Sequence, residues 1–267
     1  MSTAGEERIA AAFAGAGKRA ALMPYLMGGF PDLEASLRAG EAAAAAGADL
    51  LELGVPFSDP LADGPVIHDA ATRALAAGAS VSGVLEVAAA LSRSLPVIVM
   101  TYANVVLARG IEVFMARLAH SEVSGLIVPD LPQEESEAIA RAAEAAGVAL
   151  VPLVAPTTTD ERLARIGAAA RGFLYVVSVT GTTGERGSSG SQTLSPLLAR
   201  AHAHTSVPVA LGFGISTPEQ ALAAAQAGAD GVIVGSRLVR AAGEATDAAA
   251  AVGGLVGEFA QALALES

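Results

Sequence analysis

Residues 43–54, AAAAGADLLELG, read as the end of a helix, a Gly-Ala-Asp turn and a short apolar strand closing on glycine. Residues 224–235, AAQAGADGVIVG, repeat that order of elements. Echoes of one helix–turn–strand unit at two distant points suit a fold assembled from repeated units. Working outward, short apolar runs at 20–27, 48–53, 95–101, 125–128, 148–154, 172–179, 207–211 and 231–234 have strand length and alternate with helical stretches. Runs as continuously apolar as 95–101 are expected where both faces of a parallel strand are covered. The alternation predicts an α/β fold, a closed (β/α)8 barrel of the TIM type in one domain over 1–267, preceded by an extra helix at 6–13. An open doubly wound sheet is the rival; the absence of a domain-sized linker or composition break favours the barrel.

Composition narrows the function. The chain has 267 residues, 52% hydrophobic and 16% charged, with a mean hydropathy of +0.51. Much of that is alanine at helical spacing, and no apolar run approaches the roughly 18 residues that cross a bilayer. The first twenty residues carry acids before the first base and no apolar signal core, so export is not expected and cytoplasm is the default. With no cysteine, disulfides, thiolate metal sites and cysteine nucleophiles are excluded together. A net charge of −11 with scattered basic residues opposes nucleic-acid binding, which draws on clustered Lys and Arg.

In such barrels chemistry sits at the C-terminal ends of the strands. The sharpest stretch there is LLELGVPFSDPLADGP, residues 50–65. Glu52 is one acid inside an apolar strand, where an ionised carboxylate is costly unless partnered or shifted in pKa. Strand alternation puts it on one face with Leu50 and Gly54, so it can point into the barrel mouth and work as a proton donor and acceptor. Pro56 and Pro60 stiffen a loop carrying Asp59 and Asp63. Glu52 as a salt-bridged structural acid, and Asp63 as a turn residue, are the bland alternatives. Other strand ends bring Tyr102, Asn104, Asp130, Tyr175 and the glycine-dense loop 180–190. LGFGIS at 211–216 and VGSRLV at 234–239 follow the last two strands and predict a phosphate pocket of backbone N–H groups, with Gly184 as a further donor; plain tight turns are the alternative. His68, His120, His202 and His204 have no ligand-like spacing, so no metal site is expected.

The motifs ELGVPFSDPLADGP at 52–65, YAN at 102–104, PDLPQEES at 129–136, SVTGTTG at 178–184, GFGISTPEQ at 212–220 and GS at 235–236 resemble, in order and over nearly the whole chain, those of the tryptophan synthase α chain family. The resemblance implies a carbon–carbon lyase that cleaves indole-3-glycerol phosphate to indole and glyceraldehyde 3-phosphate by a retro-aldol reaction without metal or organic cofactor. It implies Glu52 as general acid/base and Asp63 as second catalytic acid. Tyr175, Thr183, Tyr102 and Phe213 would bind substrate, and Gly184, Gly214, Gly235 and Ser236 the phosphate. It also implies a β-subunit partner in an α2β2 heterotetramer, met through Pro56, Asp59, Asp130 and Pro132, with pyridoxal phosphate only in that partner. A stand-alone lyase and a mainly regulatory subunit remain as alternatives. MGGFPD at 27–32 departs from the family's TxGDP-like turn at Phe30, Tyr25 stands where phenylalanine is common, and Pro129 where a small residue is usual.

Overall fold

The computed structural model describes residues 2–178, 191–212 and 214–265, and in it the two Gly-Ala-Asp segments do the same work twice. Gly47 and Gly228 follow their helices at φ of +104° and +105°, the left-handed region that glycine enters without strain. The aspartates that come next fix the start of a neighbouring strand. Asp49 accepts from Leu22 N–H and Asp230 from Val209 N–H, at 2.7 Å each, while their own amides donate to the Leu22 and Val209 carbonyls at 2.9 Å.

The strands so aligned are β1 (Ala21–Met27), β2 (Leu51–Gly54), β3 (Val97–Met100), β4 (Gly125–Ile127), β5 (Ala149–Leu150), β6 (Leu153–Val154), β7 (Leu174–Val177), β8 (Val209–Gly212) and β9 (Gly231–Val234). They pair in parallel in the order β5-β4-β3-β2-β1-β9-β8-β7-β6. The two ends of that order are one stretch of chain. Residues 148–154, expected as one strand, are interrupted at Pro152, which has no N–H to give a ladder. Val151 N–H still donates to Leu126 on one side (2.9 Å), and the Pro152 carbonyl accepts from Tyr175 N–H on the other (3.0 Å), so the sheet closes as an eight-staved barrel. The expected (β/α)8 architecture is the one observed.

Helices α1 (Ala4–Gly15), α2 (Leu33–Ala45), α3 (Pro65–Ala76), α4 (Val81–Leu91), α5 (Ala103–Leu107), α6 (Ile111–His120), α7 (Glu137–Ala145), α8 (Asp160–Ala169), α9 (Ser191–His202), α10 (Pro218–Gln226), α11 (Ser236–Glu244) and α12 (Ala248–Leu263) surround it. Side-chain caps set their starts: Asp32, Ser80, Thr159, Thr217 and Asp247 each accept from an amide in the first turn. The cap at Asp247 starts α12 seven residues before the apolar pattern becomes clear at Leu255, because Gly253 and Gly254 blur that pattern. Among the described residues no single helix is long and apolar enough to cross a membrane. The bent pair α3–α4 reaches the length only together, and both bury an apolar face in the molecule.

The leading helix α1 closes the N-terminal end of the barrel. Ile9 is fully buried, worth about 1.5–3 kcal/mol of apolar transfer. Glycines make room for it and for Phe13: a Cβ on Gly172 would stand 2.9 Å from Ile9 Cδ1, and one on Gly231 would stand 2.8 Å from Phe13 Cε1. The Phe13 ring packs on Phe173 with centroids 5.8 Å apart. Lys18 and Asp49 pair beside this plug at 2.7 Å. That leaves the opposite, C-terminal mouth as the open end.

Candidate active site

Strand pairing decides which side chains share the open mouth. Glu52 on β2 is registered with Tyr25 on β1 and Ile98 on β3, so the three project from the same face of the sheet. Glu52 is 0% exposed, and neither carboxylate oxygen has a hydrogen-bond partner among the described residues. Burial, and secondarily the Asp63 charge, push its pKa up to about 8. It is a neutral acid at neutral pH, and among the described residues it forms no ion pair, which speaks against the salt-bridge alternative.

Asp63 is delivered by the loop after β2 and is half-buried. Burial raises its pKa, while a hydrogen bond from Tyr102 and the nearby His68 pull the other way. Tyr102 is the hub of this loop. Its hydroxyl accepts from Ala62 N–H at 3.0 Å, and its ring stacks on Phe57 with centroids 5.1 Å apart and planes 28° from parallel. The stack holds the Pro-rich loop down, so Asp63 reaches the mouth without a helix or strand of its own. The two carboxyls therefore differ in kind: one dry and partnerless, the other at the water's edge with a phenol donor.

All three tyrosines of the chain gather here. Tyr175 on β7 pairs in register with Ala210 on β8 and leans one step further along, its hydroxyl over Gly212, where a Cβ would stand 2.2 Å from the oxygen. Tyr25 does the same across β1 and β2: paired with Glu52, its hydroxyl lies over Gly54, 2.1 Å from where a Cβ would be. Burial raises the pKa of both phenols, with Glu52 contributing to each, so they stay protonated donors. A cleft bordered by Ala62, Asp63, Met100, Val128, Leu153 and Val177 opens beside them.

Across the mouth, Gly214 follows β8 at φ +89°, and Gly235 caps α11 without a side-chain hydrogen bond. The first two amides of α11, those of Ser236 and Arg237, precede its hydrogen-bonded ladder, which begins with Leu238 N–H on the Gly235 carbonyl, and suit an anion. Asp130 is exposed and accepts from Ala103 N–H at 2.8 Å, capping α5 from a neighbouring loop. Asp59 and Pro132 are exposed as well; Pro56 is buried within the chain itself. Leu61, at the tip of the same loop, is 88% exposed. Thr183, Gly184 and Phe213 lie outside the described residues, as does the loop 180–190. Among the described residues no three or more His, Asp or Glu side chains are arranged to hold a metal ion.

This constellation on a (β/α)8 barrel coincides with a family model described as the tryptophan synthase alpha chain, which matches residues 12–264. This chain belongs to that family. Tryptophan synthase alpha chains from Gloeobacter violaceus and Carboxydothermus hydrogenoformans are each 52% identical to it, over 90% and 82% of this chain and 88% and 82% of their own lengths. Among solved structures, tryptophan synthase from M. tuberculosis superposes with a TM-score of 0.88 at 38% identity, covering all of both chains. The tryptophan synthase a2b2 complex from Pyrococcus furiosus does so at 0.84 and 37%, over 91% of this chain and 97% of that one.

Against that family background, two residues that the sequence marked as departures have visible roles. Phe30 is buried, with the Arg73 guanidinium 4.7 Å from its ring centroid. Tyr25 stands beside the central acid. Phe57 and His68 were not singled out as site residues by the sequence; an aromatic next to a Pro-rich acidic loop was the one signal for Phe57.

Proposed function

We propose that this chain is the α subunit of tryptophan synthase, cleaving indole-3-glycerol phosphate to indole and glyceraldehyde 3-phosphate. The observation that carries this reading is Glu52: a fully buried carboxyl without a hydrogen-bond partner among the described residues, held neutral, with a second carboxyl, Asp63, near enough for its charge to act on it.

The reaction needs a proton on indole C3 and a base for the C3′ hydroxyl. Glu52, protonated at neutral pH, gives its proton to C3; Asp63, the carboxyl nearer water, accepts a hydrogen bond from the indole N–H and stabilises the positive charge that grows on the ring. The Glu52 carboxylate then takes the C3′ hydroxyl proton. The carbonyl forms, the C3–C3′ bond breaks, its electron pair returns to the ring, and Glu52 is again protonated. Separating the two carboxyls by environment is what allows one to act as acid and the other as a charge. The glycine turns at Gly214 and Gly235 with Ser236 hold the phosphate, and Tyr175 and Tyr102 line the indole side; Thr183, Gly184 and Phe213 are assigned to the same site.

A Schiff-base route would need a lysine amine. The only lysine of the chain, Lys18, lies at the opposite end of the barrel, paired with Asp49. On the family resemblance, chemistry through pyridoxal phosphate is assigned to a β subunit. The exposed Asp59, Leu61, Asp130 and Pro132, with the buried Pro56 on the same loop as Asp59, form the proposed face for that partner in an α2β2 assembly. A cytoplasmic location belongs to the same proposal.

The test is indole release from indole-3-glycerol phosphate by the purified chain, alone and with a β subunit. Slow cleavage that accelerates with the partner is expected, and Glu52→Gln should lower it by about a hundredfold or more. Unchanged turnover in Glu52→Gln would remove the assigned acid, and fast cleavage by the chain alone would point to a stand-alone lyase.

A further inference from the structure

We propose that Tyr25 is a positioning residue for Glu52, its hydroxyl donating to the carboxylate that Glu52 becomes once it has given up its proton. The inference rests on the acid/base reading of Glu52 and goes beyond it by naming the group that makes the charged form tolerable.

A general acid in an apolar wall meets a difficulty in mid-reaction. Keeping the carboxyl dry favours the neutral form before turnover, but the same dryness opposes the carboxylate made by the first proton transfer. A donor that is close, dry and unable to ionise eases that step, and this chain carries one where phenylalanine is common in the family. Neither Glu52 oxygen has a hydrogen-bond partner among the described residues, so both are open to such a donor. Tyr25 is the cross-strand partner of Glu52, and its hydroxyl sits over Gly54, the next residue on the same face of β2. The seat is built for it, since any side chain at Gly54 would occupy the position of the phenol oxygen. Tyr25 is 7% exposed, and its proton is held well above the usual range, so it remains a donor at every working pH. A hydrogen bond to a charged group in a dry site is the stronger kind, and one that forms only after proton transfer favours the transition state over the bound substrate.

The experiment compares wild type, Tyr25→Phe, Gly54→Ala and Glu52→Gln in the complex with a β subunit, following indole release over roughly pH 6 to 10. Tyr25→Phe removes one oxygen and leaves the ring packed. It should lower kcat by about tenfold with KM within about twofold. The alkaline limb of the profile, expected near 8, should move to higher pH, because losing a donor to the ionised form makes Glu52 harder to ionise. Gly54→Ala keeps the hydroxyl but displaces it, and should shift the limb in the same direction. An unmoved limb with unchanged kcat, a limb moved to lower pH, or a rise in KM alone would each overturn the inference. Should Glu52→Gln keep near-normal turnover, the acid/base reading itself fails and takes this inference with it. A Glu52→Gln loss beside an unaffected Tyr25→Phe defeats the inference alone.

Discussion

The two mouths of this barrel are lined by the same staves and made by the same local device, yet they end as opposites. At both, glycines in or beside strands clear space that a side chain would fill. At the N-terminal mouth Gly172 and Gly231 admit Ile9 and Phe13 of α1, and the space is filled by apolar atoms. At the C-terminal mouth Gly54 and Gly212 admit two phenol hydroxyls, and the space borders an acid that has no hydrogen-bond partner among the described residues. One end pairs its charged groups, with Lys18 and Asp49 bridged and both repeat aspartates hydrogen-bonded to strand amides. The other leaves Glu52 without a partner among the described residues, which costs stability and suits the proposed chemistry. Stability is concentrated at one end and reactivity at the other.

The largest expected effect that would break this comparison is in the pH dependence of folding. The unfolded chain releases the Glu52 proton near 4.5 and the folded chain holds it to about 8. Between those values the unfolded state binds fewer protons, so stability falls as pH rises, by about 1.4 kcal/mol per pH unit for this group. Denaturant melts of wild type and Glu52→Gln across that window should diverge in favour of the variant; parallel curves would mean that Glu52 ionises freely.

Next in size, Ile9→Ala should cost about 3 kcal/mol through the cavity left in the plug, while indole release per folded molecule stays close to wild type. A large loss of turnover there would show that the two ends are not separable. Asp63→Asn should do the reverse, reducing kcat by about tenfold or more with little change in melting temperature. The smallest change is expected for Lys18→Met, about 1 kcal/mol of stability from a pair that is only partly buried, with kinetics unaltered.

How far the sequence went follows the same division. Glu52 was legible because one acid in an apolar strand violates the rule for buried charge, and Asp63 because prolines and a glycine fix its loop. The alternation of apolar strand-length runs with helical stretches, supported by the repeat at 43–54 and 224–235, announced the barrel, since the turn that ends a helix and starts a strand is a local matter. What stayed hidden depends on partners far apart in the chain. Tyr25 stands out in the sequence only as a departure from the family's phenylalanine, and what its hydroxyl faces emerges when β2 places Glu52 and Gly54 beside it. Helix α5, of five residues, takes its cap from Asp130 on the next loop, so no local signal marks its start. The break between β5 and β6 comes from Pro152, visible in the sequence but inside an otherwise continuous apolar run.

The most direct measurement is a carbon-13 NMR titration of the chain labelled at its glutamate side-chain carboxyls, with the Glu52 resonance identified by its loss in Glu52→Gln. An inflection near pH 8 is predicted, leaving Glu52 protonated and ready to donate at neutral pH. An inflection near 4.5, where an ordinary glutamate titrates, would show a satisfied carboxylate at the open mouth and contradict the account.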